Sequence, residues 1–299
     1  MTNYSWTPSN GTYSGTTDSS IRAWGTSLNL KLALETVGLV QTSDTGQINW
    51  STVNGVGVGS FLGHEIYRFN DSLQSTSPIY VKISYHHFTM GYISTYVDVG
   101  SSTNGASELR GYGGPSSEAF SGGTDSISRL CFASGDNSGF VLSLWPDSSN
   151  GNASTILIID RFRNGDGTPN GDGFMVIFKT KSSGNCWIRL IDCLNAPKTY
   201  RYSKSAANSL MPCNLSALSS TTISGTEYFS PHYAMIPNGN GLYHIKMVLT
   251  YSTYNYGFNN NVSISHLGED RTYKTLGPNQ SMFDSKKQQY ATAAFWWSD

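Results

Sequence analysis

Residues 139–192 read GFVLSLWPDSSNGNASTILIIDRFRNGDGTPNGDGFMVIFKTKSSGNCWIRLID, and the fold is decided in this stretch. Four apolar runs, Phe140 to Trp145, Thr155 to Phe162, Phe174 to Thr180 and Cys186 to Asp192, are too short for typical helices and rich in Val, Ile, Phe and Trp. The segments between them are built from Asn, Gly, Asp, Ser and Pro, residues that accept positive φ or pre-set a turn. Four neighbouring antiparallel strands follow. On the second run Ile156, Ile158 and Asp160 share one face while Leu157, Ile159 and Arg161 share the other, so both faces stay apolar until the strand nears its end. That strand is predicted to be central and covered on both sides.

Working outward, the 299 residues carry a formal charge of -1, and only 13% are charged, about half the usual quarter. No basic stripe is present, which argues against a nucleic-acid partner, and no apolar run is long enough for membrane insertion. Ser, Thr, Asn, Gly and Tyr must cover the surface, a palette suited to a protein packed among neighbours and equally to a solvated, loop-rich β protein. Cys131, Cys186, Cys193 and Cys213 have no C-x-x-C spacing and no nearby His pair, so they read as free, mostly buried thiols. No motif calls for a cofactor.

Residues 1–20 are polar, with only Tyr4, Trp6 and Tyr13 to pack, and read as an arm that orders on a neighbouring subunit or as a frayed terminus. A single helix is predicted from Asp18 or Ser19 through Ile21, Trp24, Leu28, Leu32 and Val37, capped by Gly38. Residues 21–299 then form one large β-rich domain, with a possible sub-boundary near 195–225 where apolar periodicity fades. Predicted strands outside the meander are Glu65 to Phe69, Ile79 to Tyr85, Phe88 to Val99, Ser128 to Ala133, Tyr228 to Tyr233, Leu242 to Tyr254, Asn261 to Leu267 and Tyr290 to Trp297. The fold class is mainly β: an antiparallel β-sandwich or jelly-roll-like body with one N-terminal helix.

The order IRAWGTSLNLKLALETVGLVQTSDTGQINW (Ile21 to Trp50), HEIYRFNDSLQSTSPIYVKISY (His64 to Tyr85) and the later NGDG hairpin before Phe174 resembles structural proteins of tailed-bacteriophage virions. The resemblance is clearest over the first hundred or so residues, and it lies in fold signatures rather than catalytic ones. It implies a non-enzymatic virion protein, a tail, collar or baseplate component or alternatively a capsid-decorating protein. Its implied partners are copies of itself and other virion proteins. Met1-Thr-Asn-Tyr-Ser-Trp6 lacks the basic and apolar regions of a signal peptide, so synthesis in the host cytoplasm is expected.

Asp160, Asn164, Asp166, Asn170 and Asp172 offer closely spaced oxygen ligands for calcium, but without the order or distal Glu of an EF-hand; a plain Asn-Gly/Asp-Gly hairpin is the favoured reading. Adjacent His86 and His87 point to opposite faces of a strand and cannot share one metal. Gly135-Asp-Asn-Ser-Gly139 precedes a strand, unlike a nucleophile elbow, and reads as a turn. Glu108, Glu118 and Asp125 flank a glycine-rich loop and are candidate carboxylates for a polysaccharide-degrading enzyme, although no spacing selects a pair. Exposed aromatics with loop Asn and Asp residues would suit a glycan- or receptor-binding module for a host surface glycan. The terminal Phe295, Trp296 and Trp297 dock either into the chain's own sheet or, with Trp6 of the arm, onto a partner.

Overall fold

The meander forms in the computed structural model, which describes residues 1–7, 18–54, 57, 59–87, 93–112, 118–121, 131–144, 155–179, 186–194, 198–203, 229–234, 243–251, 258–266, 269–276 and 292–298. The chain begins with β1 (Thr2–Trp6), α1 (Asp18–Leu28), α2 (Leu30–Thr36) and β2 (Val40–Gln41). Next come β3 (Phe61–Arg68), a 3-10 turn (Ser72–Ser75), β4 (Tyr80–His87) and β5 (Ile93–Gly100). A small hairpin of β6 (Ser102–Thr103) and β7 (Leu109–Arg110) and then β8 (Glu118–Ser121) lead to the centre. There lie β9 (Cys131–Asp136), β10 (Gly139–Leu144), β11 (Thr155–Arg163), β12 (Pro169–Lys179), β13 (Cys186–Asp192) and β14 (Lys198–Ser203). The last group is β15 (Phe229–Ala234), β16 (Tyr243–Tyr251), β17 (Phe258–His266), β18 (Glu269–Leu276) and β19 (Thr292–Ser298).

Every named pairing between strands is antiparallel, and consecutive strands from β9 to β14 pair in turn, which makes the body a meander-based sandwich rather than a jelly roll. The central layer runs β1-β9-β10-β11-β12-β13-β14. One of its faces carries Phe140, Leu142, Leu157, Ile159, Phe174 and Val176, which join a single core cluster with α1, α2 and the sheet β2-β3-β4-β5-β8. The other face meets β16, β18 and β19 of the group β15 to β19. That group is continuous with the central layer through the pairing of Arg163 with His244, and folds back so that Tyr243 stacks on Phe162 at 4.8 Å and Lys274 lies over Phe132. Strand β11 is therefore buried on both faces from Ile156 to Arg163, as the sequence predicts.

Burial on both sides includes its charges. Arg161, 0% exposed, reaches into the other sheet: its guanidinium holds both oxygens of Asp71 before the 3-10 turn, donates Nη1 to the Ser77 carbonyl at 2.8 Å and lies over the Phe69 ring. Asp160 points the opposite way, and its Oδ2 accepts the amides of Lys246 at 2.8 Å and Met247 at 3.1 Å, while Arg163 donates to Oδ1 at 3.3 Å. Burial pushes the Asp160 carboxyl up, and Arg163 and the two amides pull against that shift. A third buried carboxylate, Glu65 on the inner face of β3, accepts the Tyr85 hydroxyl, and burial holds it above the usual carboxylate range.

The helical segment departs from the single helix predicted. Asn29 takes a left-handed conformation at φ 47 and divides it into α1 and α2, a geometry that Asn tolerates better than most residues. Gly38, at φ 100, closes α2 as predicted: its amide donates to the Glu35 carbonyl and that of Leu39 to the Leu34 carbonyl, both at 3.1 Å. Gly25 is a close-approach site, since a Cβ there would fall 1.9 Å from the Trp50 ring.

The N-terminal arm is corrected in part. Residues 2–6 form β1, paired with β9 of the same chain, and Tyr4 and Trp6 pack against the chain's own core. The sub-boundary near 195–225 is crossed on its first side by β14, which extends the central layer past residue 195, while 204–228 lie outside the described residues. Cys131 and Cys193 carry free thiols, Cys131 being buried.

The pair between Arg161 and Asp71 ties two layers. Asp71→Ala leaves a buried guanidinium without its counter-charge and is expected to cost about 3–5 kcal/mol in chemical denaturation. Asp71→Leu with Arg161→Met should recover most of that loss; a single variant as stable as the parent would show that the pair ties nothing.

Candidate functional site

The outward face of the smaller sheet carries the most distinctive group of side chains among the described residues. Its origin is a break in alternation. Residues three apart on a strand normally face opposite ways, but β3 shifts register between Phe61 and Gly63, so Phe61 lies opposite His86 while His64 lies opposite Ser84. Gly63, at φ 149, permits the irregularity and lets the strand approach Ile48, where a Cβ would sit 2.7 Å from the Ile48 side chain. Phe61 and His64 thereby reach the same face.

There the Phe61 ring is 51% exposed, one of two exposed large hydrophobic side chains among the described residues. It stacks on His64 with centroids 6.2 Å apart and planes 13° apart, and it meets His86 at 5.3 Å. His86 in turn packs edge-on against Tyr96 of β5 at 4.7 Å. The β6–β7 hairpin borders this platform: Ala106 offers its carbonyl to His64 Nε2 at 2.9 Å, and Lys82 Nζ donates to the Ser107 carbonyl. Asn104 Oδ1 holds the hairpin turn by accepting the amides of Ala106, Ser107 and Glu108. The carbonyl contact makes His64 Nε2 the protonated nitrogen of a neutral ring. Burial holds both His64 and His86 below the ordinary imidazole value, and Lys82 adds to the effect. The result is an aromatic surface of neutral rings with hydrogen-bonding rims, able to receive an apolar ring face.

The calcium candidates do not converge. Asp160 is buried toward β16, Asp172 accepts the Tyr243 hydroxyl at 2.7 Å, and Asp166 closes its own turn through the Thr168 amide and hydroxyl, which hold its carboxyl below the usual range. Asn164 Oδ1 accepts Asn170 Nδ2 at 3.0 Å, and no cluster of metal-ligating groups occurs among the described residues. The hairpin reading fits this geometry. His86 and His87 point to opposite sides as predicted, with His87 buried. Residues 137–138 make the tight β9–β10 turn, where Asp136 Oδ1 accepts both the amide and hydroxyl of Ser138.

Glu108 is exposed in the small hairpin and accepts Asn104 Nδ2, Glu118 lies on β8, and Asp125 is outside the described residues. Phe295, Trp296 and Trp297 fall on β19, whose main chain pairs with β16 on one side and β18 on the other. The backbone of the C-terminal segment is thus committed to its own sheet. Trp6, stacked on Tyr4 at 5.2 Å, is half-buried on its own chain. An open cleft of about 480 Å³ is lined by Thr2, Asn70, Asp71, Asp136, Ser138 and Pro169, but its two carboxylates already pair with Arg161 and Arg163. No helix among the described residues is long and apolar enough to cross a membrane.

Comparison of the chain with protein-family models, curated proteins and solved structures finds no match.

Because the folded chain holds His64 and His86 below their ordinary value, the unfolded chain binds more protons below about pH 6.5. Their contribution is fully present above that pH and is lost as pH falls. Glu65, held above its usual value, acts with the opposite sign, losing stability as pH rises. Thermal unfolding of the parent and His64→Gln, compared at about pH 7.5 and about pH 5.5, separates the two, since Glu65 is common to both. The variant should lose less stability on acidification; an identical loss would mean that His64 does not titrate differently on folding.

Proposed function

We propose that this chain is a non-enzymatic structural protein of a tailed-bacteriophage virion. It assembles with copies of itself and with other virion proteins in the tail, collar or baseplate, with capsid decoration as the alternative placement. The observation that carries this reading is that the two stretches bearing the resemblance fold against each other as one unit. Residues 21–50 supply α1, α2 and β2, and residues 64–85 supply most of β3 and β4. Gln47 bridges to His64, and Trp50 packs edge-on against Tyr85 at 4.9 Å. The buried carboxylates lend support, because Asp160, Asp71 and Glu65 are each spent on ties between elements.

Quantitative mass spectrometry of purified particles tests it. A copy number near that of the major capsid protein would mean a decorating protein, and one matching a single ring of subunits would mean the tail, collar or baseplate. Absence from washed particles would overturn the reading.

A second reading, a module that binds a host surface glycan, is favoured by the exposed Phe61 ring among neutral imidazoles and Tyr96. Sugar rings stack their apolar faces on such aromatics while their hydroxyls bond to the rim. On a glycan array, Phe61→Ala should reduce binding about tenfold or more, the loss of about 1.4 kcal/mol; no binding by the parent at high concentration would exclude this reading.

A further inference from the structure

Strand edges are templates for pairing, and folded chains guard them with shortness, charge, proline, bulges or cover. The strands that end a sheet order among the described residues divide sharply on that criterion. β1 has five residues and lies beside α2, with Thr2 Oγ1 donating to the Thr36 carbonyl. β2 has two residues, and β8 has four and includes Glu118. β14 carries Lys198 and Arg201, and β15 contains Pro231, next to which its register shifts.

β17 is the exception. It ends the strand order, its one partner among the described strands being β18, and its nine residues FNNNVSISH contain no Asp, Glu, Lys, Arg, Pro or Gly. Its single irregularity lies between Phe258 and Asn261, and the ladder is regular from Asn261 to His266. Asn261 and Ser263 are exposed while Val262 between them is buried, the alternation of a strand with one solvated face.

We propose that β17 is an interaction edge at which a second copy of this chain adds its own β17, antiparallel, joining two sheets across a two-fold axis. A copy is the occupant that the sequence fits. Pairing the strand with itself sets no like charge against another at any position, whereas self-pairing of β14 would bring Lys198 and Arg201 of two chains together. Asn and Ser side chains supply both donors and acceptors and are therefore complementary to their own copies. For its biological use the inference rests on the assembly reading above. Its test needs no virion, so either can fail without the other.

Sedimentation of the purified full chain over a rising concentration series is the experiment. The weight-average mass is expected to climb from the monomer's 32.6 kDa toward the dimer's. Asn261→Lys with Ser263→Lys, both at exposed positions, should weaken association at least about tenfold through like-charge repulsion across the axis. The thermal unfolding midpoint of this variant should match the parent's, separating lost pairing from lost fold. Hydrogen exchange supplies a second measurement: amides in 258–266 should become slower to exchange as the parent is concentrated. A parent that stays monomeric throughout, a lysine variant that associates as well as the parent, or concentration-dependent protection confined to other strands would each overturn the proposal.

Discussion

Strand β11 lies between two layers and has no solvent face, yet its last turn of sequence carries Asp160, Arg161 and Arg163. A buried charge without a partner costs several kcal/mol, so each must be answered by a group brought from elsewhere. Alternation decides from where. Arg161 looks toward the smaller sheet and is met by Asp71 and the Ser77 carbonyl, while Asp160 looks the other way and is met by two successive amides of β16. Apolar contacts hold the three layers together, but they tolerate sliding. These hydrogen bonds are directional, and they fix where each outer layer sits on the central one.

Much of this was legible in the sequence because one strand announced itself. The unbroken run Thr155 to Phe162, bounded by turn residues, shows a strand covered on both faces, and the paired runs around it give the meander. The turn at 137–138 and the closing role of Gly38 were readable from local chemistry. Other features were not. Short β1 and the charged β18, EDRTYKTL, lack the apolar alternation by which strands are recognised and exist because of their partners. The break at Asn29 is a tertiary effect, hidden in a run whose periodicity continues through it. The close approach of Trp50 to Gly25 is likewise invisible without the fold.

The platform on the smaller sheet was the least legible part. Reading Phe61 and His64 by simple alternation puts them on opposite faces, and only the register shift beside Gly63 brings them together. A glycine within a strand pattern is a hint of such a bulge, and it was the one available signal. Asp160 shows the converse. It was one of five calcium candidates by spacing, but its side chain belongs to the buried face of β11, so sequence proximity to Asp166 and Asp172 counted for nothing. A register shift thus joined residues that alternation separates, and alternation separated residues that spacing joins.

The pairing of β1 with β9 has a consequence for synthesis. Thr2–Trp6 is made early, but its partner Cys131–Asp136 is more than a hundred residues downstream, with α1, α2 and the whole smaller sheet between them. At ordinary translation speeds that interval lasts on the order of ten seconds. During it the helices and the smaller sheet have only each other to fold against, and the β1 segment waits without its partner. The core that the helices and the smaller sheet share with the central layer is therefore closed only after β9 to β13 have been made.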